Sequence, residues 1–394
     1  MTSEILIMNK NAIAMAADSA VTVGNSKTYN GVNKLFMLSN DPPMGVMIFG
    51  SANFENIPLE TLIKEYRKIT NFKENNDIIS IKNNFLDYLG KNTPNTDFSR
   101  EMKSGLRVFK KFIVPKIAGM DIDDLKTFLE TPQQGIPSFL EKYQNVIDQF
   151  DEEFKQMIPT HIPLEYHEDI INKLKNIYVN SIIRMGTGIV IAGFNEIDMF
   201  PSVVNFNIVL NNHGKIEIIE YNELLNHQGN SIIPFAQKDV IDTFLTGIDN
   251  SIGDSLIYYF KNFINGYIEE LRVEFSNNNK IKNKALLATN QILDNFDKTS
   301  NKRVNEFKKN IIKIKKDFTN PILDSVGALP KEELANMSES LIHITSLKRK
   351  VDSNLETVGG DIDVAIISKG DGFIWKKRKH YFDKELNPQF FDRK

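Results

Sequence analysis

Apolar residues fall into short runs at both ends of the chain and into helix-spaced sets between them. EILIMN (Glu4 to Asn9) and AIAMAAD (Ala12 to Asp18) are apolar runs split by Asn9-Lys10-Asn11, a hairpin pattern with polar turn residues. KTY (Lys27 to Tyr29), KLFML (Lys34 to Leu38) and GVMIFG (Gly45 to Gly50) continue this strand-rich stretch, with Asp41-Pro42-Pro43 marking a turn. From about 54 to 184 the period becomes helical. PLETLIKEYRKI (Pro58 to Ile69) opens on proline and places Leu62, Tyr66 and Ile69 on one side, and DFSREMKSGLRVFKKFIVPKIAG and PLEYHEDIINKLKNIYVNSIIRM repeat the period. Strands return at 187–221 in GIVIAGF, VVNFNIVL and KIEIIEY, the last two separated by the turn Asn211-Asn212-His213-Gly214. A second helical stretch, about 238–348, contains a long charged run that reads as a solvated helix face. IDVAIISK and GFIWKKRKH, two strands around Gly370-Asp371, close the pattern.

Strands at both ends with helices between them argue against two side-by-side domains. The expectation is a single domain over 2–394, with core strands at about 2–53, 187–221 and 361–380. A helical insertion then occupies about 54–184 and a helical segment about 238–348.

Composition changes this picture little. The chain has 394 residues, 41% hydrophobic and 25% charged, an ordinary soluble balance, and its net charge of −3 gives no bulk case for a nucleic-acid partner. The absence of cysteine excludes thiol catalysis, disulfides and Cys-ligated zinc, and fits a reducing cytosol. No apolar run is long enough to span a membrane, and the first residues lack a secretory pattern, so a cytoplasmic location is expected. The histidines make no H-E-x-x-H, and there is neither a Walker A motif nor G-x-G-x-x-G, so no metal and no cofactor is expected. The basic run Trp375 to His380 has two readings: a patch for nucleic acid or an acidic partner, or a solvated edge strand whose lysines block unwanted pairing. The second is preferred.

Candidate chemistry begins at Thr2. Asp18 lies sixteen residues on, Lys34 a further sixteen, and Gly50 ends the next strand. With Thr2 as the first mature residue, these offsets resemble those of the β-type subunits of proteasomes and their bacterial relatives, which are N-terminal-nucleophile hydrolases. MAADSAVT resembles the segment around that family's active-site Asp, GIVIAGFNEIDMFPSVVNFNIVLNNHGKIE its central hairpin, and VGGDIDVAII its closing strand.

The resemblance implies an α+β fold, a four-layer αββα sandwich carrying an enlarged helical insertion. It implies Thr2, Asp18, Lys34 and Gly50 as catalytic residues and Thr22 as a substrate-binding residue. It further implies a first specificity pocket lined by Val21, Val32, Phe36, Ile48 and Ala52, hence cleavage of polypeptide after apolar residues. Self-assembly is implied too, and an ATP-driven unfoldase is admitted as a partner, although no docking site for one is visible. The chain departs from the family near SIIPFAQKD (Ser231 to Asp239), which has neither the expected Gly nor a Ser in the matching place, and at Val358, where the family has Ser. Two alternatives stay open: a catalytically degenerate scaffold or regulatory subunit, and an amidase or acyl-transferase acting on a small molecule.

The chemistry also stands on the residues themselves. A threonine hydroxyl needs a base, and a free N-terminal amine, with a pKa near ~7.7–8.0, can serve. Lys34 would hold down the pKa of the amine or hydroxyl, Asp18 would pair with Lys34, and the Gly50 N–H could donate to an oxyanion. All of this requires removal of Met1, which a small residue at position 2 permits.

Overall fold

The computed structural model describes residues 3–23, 27–74, 77–130, 137–184, 186–277, 283–351, 359–383 and 385–391. It opens on β1 (Ser3–Met8) and β2 (Ile13–Ala17), then β3 (Val21–Val23), β4 (Lys27–Tyr29), β5 (Leu35–Asn40), β6 (Pro43–Gly50), β7 (Asn53–Phe54) and β8 (Ile57–Pro58). Helices follow: α1 (Leu59–Ile69), α2 (Ile78–Asn92), α3 (Phe98–Ala118), α4 (Ile122–Glu130), α5 (Pro137–Asp148), α6 (Asp151–Lys155) and α7 (His167–Arg184). Next come β9 (Thr187–Gly193), β10 (Ser202–Asn212), β11 (Lys215–Leu224) and β12 (Ser231–Ala236). The remaining elements are α8 (Asp239–Thr246), α9 (Asn250–Asn277), α10 (Asn283–Ala328), α11 (Lys331–Val351), β13 (Asp363–Ser368), β14 (Gly372–Lys377) and α12 (Pro388–Phe391).

Two five-stranded antiparallel sheets result, ordered β12-β1-β2-β13-β14 and β11-β10-β9-β6-β5. The class is mixed α and β. The β1–β2 hairpin is fixed at its turn by Asn9, whose Oδ1 accepts the N–H groups of Asn11 and Ala12 at 3.0 and 3.2 Å. Its Nδ2 donates to the carbonyls of Val326 and Leu329, tying the hairpin to the end of α10. β1 and β2 are buried at every position because both faces are covered, which is why their sequence runs apolar without alternation.

On one face Leu6, Met8 and Met15 meet Met47, Val190 and Ala192 of the second sheet. A Cβ on Gly45 would lie 2.9 Å from side-chain atoms of Ile367, Met15 and Phe373, so any larger residue there would have to displace side chains that fill the space between the sheets. On the other face of the first sheet, Ile5, Ile7 and Ala14 pack with residues of α8, α10 and α11. The outer face of the second sheet packs on α1 and α2 through Ile48, Ile189 and Phe206. Helices α3 to α7 build a further core of their own, with Met102, Phe154, Leu174 and Tyr178 at its centre and Leu210 of β10 at its edge. In α9, Ile252, Leu256, Tyr259, Phe263 and Tyr267 stay exposed at three- and four-residue intervals.

Three sequence expectations change. Ile69 does not share the buried side of α1 with Leu62 and Tyr66; it is exposed. β12 falls where no strand is read from the pattern, since Pro234 interrupts it. That proline is tolerated because β12 is an edge strand, pairing on one side alone with β1. The basic run after Trp375 is solvated at Lys376 and Lys377, but Arg378 and Lys379 turn inward to a buried carboxylate, Asp363. No helix among the described residues is long and apolar enough to cross a membrane.

Candidate functional site

Four separate segments meet at Asp18. It follows β2 directly, and its Oδ1 accepts the backbone N–H of Ser3, the first residue of β1, at 3.0 Å. The same oxygen pairs with Lys34 Nζ at 2.5 Å, and Lys34 donates also to the Ala20 carbonyl at 2.6 Å. Oδ2 accepts the N–H of Gly359, just ahead of β13, at 3.1 Å. The backbone closes the arrangement, with Asp18 N–H donating to the Ser3 carbonyl and Ser19 N–H to that of Gly359. Asp18 is wholly buried and Lys34 is 3% exposed, so this ion pair is shielded from solvent and from salt.

Thr2 lies outside the described residues, as does Val358. The structure therefore brings together Asp18 and Lys34 beside Ser3, the neighbour of Thr2 in the chain. Gly50 is related to the pair through the second sheet: the Ile48 N–H donates to the Lys34 carbonyl at 2.9 Å, and Gly50 is two residues further along β6. Its φ of +83° is a conformation that glycine adopts freely, and a Cβ there would stand 2.6 Å from the Gly186 carbonyl oxygen. Gly50→Ala is expected to cost roughly 1–3 kcal/mol for the overlap, and about 1–2 kcal/mol more for the backbone. A melting temperature unchanged from wild type would refute that requirement.

Thr22 lies in β3, and its side chain is outside the described set; Val21, Val32 and Ala52 are half-buried. Phe36 and Ile48 pack in the core against α1 and α2. One residue past Gly50 a cavity of about 420 Å³ opens between the second sheet and the helical insertion. Ser51, Asn53, Thr96, Tyr178 and Thr187 are among the residues that line it. The Glu55 carboxylate there is held by Thr96 Oγ1 at 2.5 Å and by the Asn211 N–H at 2.7 Å.

No family model matches the chain. No curated protein matches it either. Among solved structures, Anbu (ancestral beta-subunit) from Yersinia bercovieri superposes with a TM-score of 0.31 at 8% identity, over 99% of this chain and 93% of that one. An Anbu (Gly-1) mutant from Hyphomicrobium sp. strain MC1 gives 0.31 at 11%, over 100% and 94%. Superpositions this loose carry no argument about the chain. The family membership read from the spacing of Thr2, Asp18 and Lys34 and from the strand motifs is corrected: no family model and no curated protein matches the chain in sequence.

Sequence reasoning missed three groups around the pair. Glu4 is fully buried in β1, and burial, opposed by Lys34 and reinforced by Asp18, pushes its carboxyl well above the ordinary range. Asp363 of β13, also wholly buried, accepts Arg378 Nη1 at 2.7 Å and the Lys379 N–H at 2.9 Å, and pairs with Lys379 Nζ as well. Burial holds the Lys379 ammonium below the usual lysine range, against the pull of Asp363, and Arg378 and Lys34 add to the lowering. The one sequence signal for these groups was charge inside an otherwise apolar strand. Among the described residues no cluster of His, Asp and Glu could hold a metal ion.

Proposed function

We propose that the chain is an N-terminal-nucleophile hydrolase of amide bonds, with Thr2 as nucleophile once Met1 is removed. The supporting observation is the double use of Asp18 Oδ1, which takes the N–H of Ser3 at 3.0 Å and the Lys34 ammonium at 2.5 Å. Ser3 is one peptide bond from Thr2, and consecutive Cα atoms are about 3.8 Å apart. A buried cation is thus anchored on the carboxylate that also holds Ser3, the chain neighbour of the one residue that carries both a hydroxyl and, after processing, a free amine.

In this reading the Thr2 amine accepts the hydroxyl proton as the oxygen attacks the amide carbon, and later returns it to the leaving amine. Lys34 supplies fixed positive charge that favours the alkoxide, and Asp18 fixes the direction of Lys34. The Gly50 N–H is assigned to the oxyanion, and the cavity beside it gives room for a polypeptide segment. The packing of α1 and α2 on one sheet and α8, α10 and α11 on the other supports the four-layer αββα reading and a single unit over 2–394. The exposed stripe on α9 supports self-association.

The test is intact mass before and after incubation with a β-lactone that acylates N-terminal threonine. Loss of Met1 and one added acyl group, absent in Thr2→Ala, is the expected result. Retained Met1 with no adduct removes the general base and leaves a scaffold.

A further inference from the structure

Four buried polar atoms near the Asp18–Lys34 pair have no hydrogen-bond partner among the described residues: Ser3 Oγ, Ser19 Oγ and both carboxyl oxygens of Glu4. Glu4 is the consequential one. Its strand partners Ala17 and Phe235 lie in the layer between the two sheets, as does Leu6, two residues along β1. Glu4 therefore points into that layer. Its surroundings are apolar: Phe235 of β12 stacks on Phe49 of β6 at 5.6 Å between ring centroids. The charged groups that bear on it are Lys34, ahead of β5, and Asp18, at the end of β2.

Charge counting then constrains its state. Lys34 and Asp18 neutralise each other at 2.5 Å. An ionised Glu4 would be a second buried anion facing one cation, with no donor to either oxygen, and such a charge is strongly disfavoured. As a neutral acid it is one O–H donor and needs no counter-ion.

We propose that Glu4 is a positioning residue which must hold its proton for Lys34 to stay on Asp18 beside Ser3. When Glu4 releases that proton to solvent, two carboxylates compete for one ammonium and the alignment is lost. The catalytic consequence rests on the function proposed above; the charge state of Glu4 and its coupling to the pair do not.

Infrared spectroscopy of the full chain separates the two. At neutral pH a protonated-carboxyl carbonyl band is expected that vanishes in Glu4→Gln and persists in Thr2→Ala. Identical wild-type and Glu4→Gln spectra overturn the proposal. Asp18→Asn is expected to lower the pH at which the band titrates, because Lys34 then faces Glu4 alone, and an unmoved midpoint overturns the coupling. This arm also decides the matter if Glu4→Gln fails to fold.

In β-lactone acylation, wild type should lose rate by about tenfold per pH unit above the band's midpoint. Glu4→Gln should lack that alkaline loss, whereas a merely structural role would lower its rate equally at every pH. Parallel pH profiles overturn the positioning role. Absence of acylation in all variants, with the band behaving as expected, refutes the nucleophile and keeps the coupling.

Stability gives the sign independently. Between the ordinary and the raised glutamate range the folded state holds a proton that the unfolded chain has released. Wild type should therefore lose stability relative to Glu4→Gln as pH rises through that window, and level off above it.

Discussion

Asp18→Ala is expected to lower the free energy of unfolding by about 3–5 kcal/mol, the cost of stranding one member of a buried ion pair. Lys34 would keep the Ala20 carbonyl at 2.6 Å but lose its hydrogen-bonded counter-ion, leaving nearby Glu4, which makes no hydrogen bond to it, as the remaining acid, and at 3% exposure solvent gives little compensation. The Ser3 and Gly359 N–H groups would lose their acceptor at the same time. A urea titration is the appropriate measurement, since an ionic denaturant would screen charges elsewhere in the chain. Adding Lys34→Met to Asp18→Ala should recover a large part of the loss, because an apolar side chain of similar length removes the stranded charge. A single-variant loss below about 1 kcal/mol would mean that the pair behaves like an exposed one.

Asp363→Ala is expected to be comparably costly, about 3–5 kcal/mol, and to show an opposite pH signature to that of Glu4. Asp363 holds Arg378 and Lys379 together, and without it two cations face each other with no anion between them. The Lys379 ammonium is already disfavoured by burial, and losing its carboxylate deepens that. The unfolded chain then binds the proton that folded Lys379 gives up, so stability rises with pH towards the ordinary lysine range. The deficit of Asp363→Ala should accordingly be largest at neutral pH and shrink at alkaline pH. A deficit that stays constant would show that Lys379 remains charged, or that the loss is one of packing.

The hairpin of β1 and β2 and the strands of β6, β9, β10 and β13 were legible, because runs bounded by Asn, Gly and Pro report strands directly. The pairing of Asp18 with Lys34 was expected from spacing taken together with a family resemblance, and neither could show burial or the contribution of Gly359, which comes from the far end of the chain. Glu4 was hidden by its setting: in EILIMN a single acid reads as the polar face of a strand, until both faces prove to be covered. Lys379 was hidden by the basic run around it, where two lysines face solvent and the next two cations turn inward, and Asp363 by its place at the start of an apolar strand. β12 was missed because a proline argues against a strand unless its edge position is known, and that position is set by pairing with a strand more than two hundred residues earlier.

The bond from Gly359 to Asp18 spans 341 residues of chain. At ribosomal rates of about 5–20 residues per second, Asp18 exists for roughly 17–70 s before its last donor has been made. β1 likewise waits for β12, and β2 for β13. Synthesis itself acts as the timer: a truncated product can hold Asp18 and Lys34 but lacks Gly359, so the Asp18 carboxylate gains its last donor only when the ribosome has nearly finished.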